Sequence, residues 1–309
     1  MDRVTTDGSD RRSRQPQLAL AERIARRLYD DVAAVVWVPS DEADVFRLTF
    51  GSGRTARYLK VPLPGTNVVA REVVMLPALR ARGFPVHDFE YSTNDLPDAG
   101  TAFHVTREHE HVPGRELAAS DPLAARRLAT RLGQLVRRLE GLDPDTIPGG
   151  VTWSRDPGEC WRPQYRALIA DHRWPPEARR WAERILARLD TPPPGFGGWF
   201  GEKLIRRDGS FVMIDWTTAG ANWPCAQAAF CLEGLTEWSQ QHKRDLVRHF
   251  LRGYAPAGLT PAELADLRLW CLHGPLGWNM LQRPCDETIQ WATAVVRRAE
   301  LSDDPAEWF

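Results

Sequence analysis

Residues 58–86 read YLKVPLPGTNVVAREVVMLPALRARGFPV, and this stretch decides the fold class. The run TARYLKV (55–61) has strand composition, with Lys60 set among apolar neighbours. Residues 66–82 place Val69, Val73, Leu76 and Leu79 on one helical face, and Gly83 stands at the expected C-terminal cap. An ammonium in an apolar strand needs a carboxylate partner or an anionic ligand. Glu72, on the helix that follows, is spaced to reach back to that strand.

Working outward, residues 18–34 have helical spacing through Leu18, Ile24, Leu28 and Val32. Short β-type runs follow at 35–38 and 45–50, and GSGR joins the second of these to 55–61 as a hairpin turn. FPVHDFEY (84–91) and TAFHVTREHEHV (101–112) read as two more strands. Beyond Pro113-Gly114 the character changes. Residues 121–143 form a long amphipathic helix with Leu123, Leu128, Leu132, Leu135 and Leu139 inside and arginines outside. A loop spans 144–164, a second helix covers 175–190, and TPPPGFGGWFGE (191–202) reads as irregular. KLIRR and SFVMIDW then form a hairpin around Asp208-Gly209, which ends at Asp215. Residues 225–300 are mostly helical.

The expected architecture is α+β and bilobal. It has a disordered polar tail (1–17), a small β-rich N-lobe (18–108) and a larger, mostly helical C-lobe (109–309), with a ligand cleft between the lobes. The 309 residues carry a net charge of −1, which argues against a nucleic-acid or membrane-surface partner. No apolar run reaches the ~20 residues of a membrane span. Five cysteines without a CxxC pair point to reduced thiols in a cytoplasmic protein. Of 40 basic residues only Lys60, Lys203 and Lys243 are lysine, so a lysine hints at a position that wants a compact ammonium.

A strand lysine, a helix glutamate and an aspartate ending a later hairpin form the arrangement that holds nucleotide phosphates and Mg²⁺. YLKVPLPGTNVVAREVVMLPALRARGFPV, FHVTREHEHVPGREL and KLIRRDGSFVMIDWTTAG, in this order, resemble the aminoglycoside phosphotransferase and choline-kinase-like family, which has a protein-kinase-like fold. The resemblance covers roughly residues 35–235. It implies that Lys60 holds the α- and β-phosphates of ATP, that Glu72 orients Lys60 and that Asp215 binds Mg²⁺. It also implies that Thr106 to His109 lie near the adenine. No glycine-rich loop is present in PSDEAD (39–44).

The family's catalytic loop carries His-Gly-Asp, four residues, then Asn. Counting back from the hairpin puts Phe196, Gly197 and Gly198 at His-Gly-Asp and Lys203 at Asn. A shift by one residue would put Glu202 at Asn instead; Lys203 keeps KLIR in phase with the strand. Gly198 cannot accept a proton, and an ammonium cannot ligate Mg²⁺. Lys203 would either neutralise Asp215 or stand in for one metal ion at the phosphates. Glu202, Lys203 or Asp208 are possible substitutes for the missing base. General-base help is typically worth ~10²–10⁴-fold, so losing the base need not remove all activity.

Weaker candidates remain. His109 and His111 alternate within a run read as strand and could form a metal pair, although a polar hinge strand is the plainer reading. Trp153, Trp161, Trp174, Trp199 and Trp223 fall in loops and could line a substrate groove, but core packing accounts for most of them better. Glu233, Glu237 and Asp245 are too sparse to argue for a polycationic substrate.

The expectation is a pseudokinase-like binding or accessory protein, which engages a small molecule, a peptide or a partner enzyme. The alternative is an atypical ATP-dependent phosphotransferase acting on a small-molecule hydroxyl or on Ser/Thr of a precursor peptide in natural-product biosynthesis.

Overall fold

The computed structural model describes residues 15–40, 43–149, 158–159, 161–197, 203–205, 210–214, 216, 219–239, 241–277 and 285–309. The chain divides into two compact units, Met1–His109 and Glu110–Phe309.

The first unit starts with α1 (Gln15–Leu28), followed by β1 (Val32–Val38), β2 (Ala43–Phe50), β3 (Arg57–Pro62), α2 (Val68–Ala81), β4 (Phe89–Ser92) and β5 (His104–Arg107). The strands make one antiparallel sheet in the order β1-β2-β3-β5-β4. The first helix differs from the sequence expectation at both ends. It includes residues 15–17, placed above in the tail, and it stops at Leu28 instead of running to 34. Val32 to Ala34 belong to β1 because Asp31 is tied to the β2–β3 turn. Its carbonyl accepts from Gly51 N at 2.9 Å, and its carboxylate accepts from the Ser52 hydroxyl.

Strand alternation divides β3 between two environments. Leu59 and Val61 enter a core with Phe46, Leu48, Phe103, Val105 and the α1 residues Ala21 and Ile24. Lys60, of opposite parity, turns away from that core towards α2.

The second unit contains α3 (Gly114–Ser120), α4 (Pro122–Glu140), α5 (Arg162–Ala170), α6 (Pro176–Leu189), β6 (Gly195–Gly197), β7 (Lys203–Ile205), β8 (Phe211–Met213), β9 (Gly220–Asn222), α7 (Ala226–Thr236), α8 (Lys243–Tyr254), α9 (Pro261–Gly277) and α10 (Asp286–Leu301). α4 and α8 run side by side in the same direction. Their backbones approach closely because Gly133 faces the Phe250 carbonyl and Gly253 faces the Thr130 carbonyl, where a Cβ would collide with backbone. At the end of α4, the half-buried Glu140 lies beneath the start of α7. Its carboxylate accepts from Cys225 N at 3.2 Å, Ala228 N at 3.0 Å and the Tyr254 hydroxyl at 2.5 Å. That satisfies donors which a helix N-terminus leaves open.

Three expectations fail in this unit. Leu123, expected on the inner face of the long helix, is exposed in its first turn, one turn ahead of the buried stripe that begins at Ala125 and Leu128. Residues 195–197 are not irregular: β6 pairs antiparallel with β9, and Phe196 is fully buried. Arg162–Ala170 is a helix, and its first three residues belong to it and not to the loop expected over 144–164. Trp161, Trp174 and Trp223 are buried in the core, whereas Trp153 and Trp199 lie outside the described residues. Among the described residues no helix is long and apolar enough to cross a membrane. Cys225, Cys231, Cys271 and Cys285 are free thiols.

Candidate functional site

The strongest cluster of charged groups in the first unit centres on Glu72. α2 buries its carboxylate, with 3% of the side chain exposed, and Lys60 approaches from β3. The Lys60 ammonium donates to Glu72 Oε1 at 2.9 Å. His104 Nε2 is 3.0 Å from Glu72 Oε2. Each carboxylate oxygen is therefore held from a different strand, and the two strands are neighbours: Lys60 and His104 are register partners across β3 and β5.

Two ring stacks occur in this part of the unit. Phe89 stacks on His104 at 4.5 Å between centroids, and His87 stacks on His109 at 6.5 Å. Burial raises the Glu72 carboxyl, but the Lys60 ammonium and the His104 hydrogen bond outweigh burial and hold it at about 2. Burial lowers His104, against the pull of Glu72, so it is a neutral imidazole near pH 7. Burial also drives His87 down to about 3, with His104 and His109 adding to it. With both rings neutral, the one-to-one pairing of Lys60 and Glu72 balances their charges.

An ammonium has three N–H donors, and the bond to Glu72 uses one. Glu72 fixes the ammonium, and the Lys60 side chain as a whole is 16% exposed. Such a group can bind a phosphate or a carboxylate.

The other expected residues stand as follows. Thr106 is buried in β5, paired with Tyr58 and Phe89 across the sheet. His109 lies beyond the end of β5, which stops at Arg107. The strand expected over 101–112 thus ends early, so the alternation argument for a His109 and His111 metal pair fails. Among the described residues, no group of three or more His, Cys, Asp or Glu side chains is placed to hold a metal ion. Gly198, Glu202, Asp208 and Asp215 lie outside the described residues. Lys203 is the first residue of β7, paired with Met213 of β8. Ile205, two residues on, accepts from Val112 N at 2.8 Å, so the hairpin is anchored to the segment that precedes α3.

His104 has no part in this cluster on the sequence alone. Its place follows from the register of β5 against β3, opposite Lys60.

Residues 38–269 match the family model described as APH, phosphotransferase enzyme family. No curated protein matches the chain. Solved structures show the same fold. The macrolide 2'-phosphotransferase MphH of Brachybacterium faecium is 20% identical with a TM-score of 0.56. A microcompartment-associated aminopropanol kinase is 16% identical with a TM-score of 0.58. Spectinomycin phosphotransferase APH(9)-Ia, solved with ADP and spectinomycin, is 12% identical with a TM-score of 0.54. Each comparison covers 93% of this chain and 98% of the other.

Proposed function

The chain belongs to the phosphotransferase enzyme family, and from that premise we propose that it binds ATP through Lys60 and that its phosphoryl-transfer step is weakened. The observation that carries this reading is the Lys60–Glu72–His104 cluster, with its 2.9 Å ion pair. Placing an ammonium inside a strand costs desolvation energy, and an apolar residue would serve packing alone equally well or better. Positioning the ammonium for an anionic ligand accounts for that cost. Spectinomycin phosphotransferase was solved with ADP, and the reading extends that class of ligand to this chain. The family resemblance gives Thr106 and His109 to the adenine and Asp215 to Mg²⁺.

The weakening rests on Gly198 and Lys203, which stand where the family has a base and a metal ligand. Under this reading the protein works in the cytoplasm as a pseudokinase-like accessory. It recognises a peptide, a small molecule or a partner enzyme, and Lys203 supplies positive charge near the phosphates. A second reading keeps slow ATP-dependent transfer to a small-molecule hydroxyl, or to Ser/Thr of a precursor peptide in natural-product biosynthesis. The retained Lys60–Glu72 pair favours it, because positioning and charge stabilisation supply most of the catalysis in phosphoryl transfer.

Calorimetric titration with ATP, with and without Mg²⁺, tests the binding claim. Wild type binds, and Lys60→Ala loses at least tenfold in affinity. Binding that survives without Mg²⁺ supports Lys203 in place of a metal ion. No binding at millimolar ATP overturns the nucleotide reading. ADP release in the presence of candidate acceptors then separates the accessory from the slow enzyme.

A further inference from the structure

The second unit carries a feature that nucleotide binding does not use. Along the seam of α4 and α8 lies an open groove of about 560 Å³. Arg126, Arg127 and Arg131 line it from α4, and His249 and Arg252 from α8. Its lining has four guanidiniums and no carboxylate, in a chain whose net charge is −1. The close approach at Gly133 and Gly253 brings the two basic rows together.

The arginines are not equally engaged. Arg126 is paired with Asp245 at 2.5 Å, and Arg131 lies over the Phe211 ring at 5.8 Å. Arg127 and Arg252 are exposed, and among the described residues neither has an ion-pair partner. Unpaired guanidiniums held side by side on rigid helices raise the local potential. The His249 imidazole registers this: burial lowers its pKa, and Arg252 and Arg126 lower it further against Asp245.

We propose that this groove docks an acidic segment of a partner polypeptide, a short run of Asp and Glu with an apolar side chain that rests on Leu123. Guanidinium forks match carboxylates in bidentate geometry, and arginine clusters are a recurring means of reading acidic motifs. Length favours a chain over a compact ion. A second hollow of about 410 Å³ shares Gln134 with the groove and continues past Arg137, which Glu263 of the same hollow engages at 2.7 Å, to Arg138. From Arg126 to Arg138 the helix rises roughly 18 Å, about the span of five or six extended residues. Leu123, 60% exposed at one end, offers an apolar foothold that a nucleic-acid backbone would not use.

The test uses the full chain and a fluorescein-labelled decapeptide of Asp and Glu with one central Leu, read by anisotropy in 50 and 300 mM NaCl. A labelled twenty-nucleotide oligo-dT runs in parallel. Wild type binds the peptide and loses affinity in the higher salt. The double variant R127E/R252E binds at least tenfold more weakly, and R127Q/R252Q, which keeps a polar surface without charge reversal, is intermediate. R26E, which removes an exposed arginine of the first unit, stays within twofold of wild type. Matching thermal melts show that the double variants are folded. The proposal is overturned if wild type does not bind the peptide in 50 mM NaCl, or if the groove variants and R26E weaken it equally. Oligo-dT binding that is tighter than peptide binding and lost in the groove variants would also overturn it, in favour of a nucleic-acid surface.

Discussion

Replacing Glu72 by Gln keeps the shape of the side chain and removes its charge. The cost can be worked from the pair. At 2.9 Å, with an effective dielectric constant of ~20, the attraction to Lys60 is about 6 kcal/mol, and desolvation offsets part of it. The balance is reflected in the carboxyl itself, held at about 2 instead of 4.5. At ~1.4 kcal/mol per pH unit this amounts to about 3 kcal/mol of stability at neutral pH. A depressed carboxylate contributes this stability above pH 4.5 and loses it as pH falls towards 2. The gap between wild type and Glu72→Gln is therefore about 3 kcal/mol at pH 7, constant down to about pH 5, and shrinks below 4.5. Only one tryptophan, Trp37, precedes residue 110, so fluorescence reports chiefly the second unit. Pulsed hydrogen exchange along a urea gradient, read on peptides from β3 and α2, follows the first unit directly. A gap below about 1 kcal/mol at pH 7, or one that persists unchanged at pH 2.5, refutes the reasoning.

Three further outcomes follow from the same geometry. His104→Leu removes the second grip on Glu72 and weakens ATP binding about five- to tenfold by calorimetry; His104→Gln, which keeps an N–H donor, stays near wild type. Gly253→Ala drives a methyl group into the Thr130 carbonyl. Its overpacking cost of about 1–3 kcal/mol exceeds the helix-propensity gain of ~1 kcal/mol, and the tryptophan-monitored melting temperature falls. Burial, with Glu237 adding to it, raises the Glu233 carboxyl to about 7, so this group stabilises the fold below pH 4.5 and loses that contribution as pH rises through 7. Glu233→Gln accordingly has little effect on the urea midpoint at pH 4 and raises it at pH 8.

Lys60 and Glu72 were legible in the sequence because each sits within a regular element whose period fixes its direction. A lysine of odd parity in an apolar strand must leave the core, and the following helix offers only one nearby carboxylate on the right face. His104 was not legible as their partner. Its position depends on β5 lying beside β3 and ahead of β4, a strand order that no local pattern encodes. The hidden strand at 195–197 had no period to read, since two of its three residues are glycine and its pairing comes from β9 across the chain. The overextended first helix shows the opposite failure. Val32 continued a helical stripe, but the contacts of Asp31 with the next turn prevailed. The arginines of α4 were visible as a solvated helix face. Their convergence with α8 needed the glycine contacts at Gly133 and Gly253, which pair residues more than a hundred positions apart.

The central claim is that Lys60 meets the phosphates of ATP, and the scarcity of lysine makes it directly measurable. An acyl-phosphate derivative of ATP acylates amines beside its phosphates, and tryptic mass spectrometry then separates the three lysines, Lys60, Lys203 and Lys243. The account predicts labelling at Lys60 that excess ATP suppresses, with Lys203 labelled if it stands in for a metal ion and Lys243 unlabelled. Labelling that spares Lys60, or that excess ATP does not suppress, would contradict it.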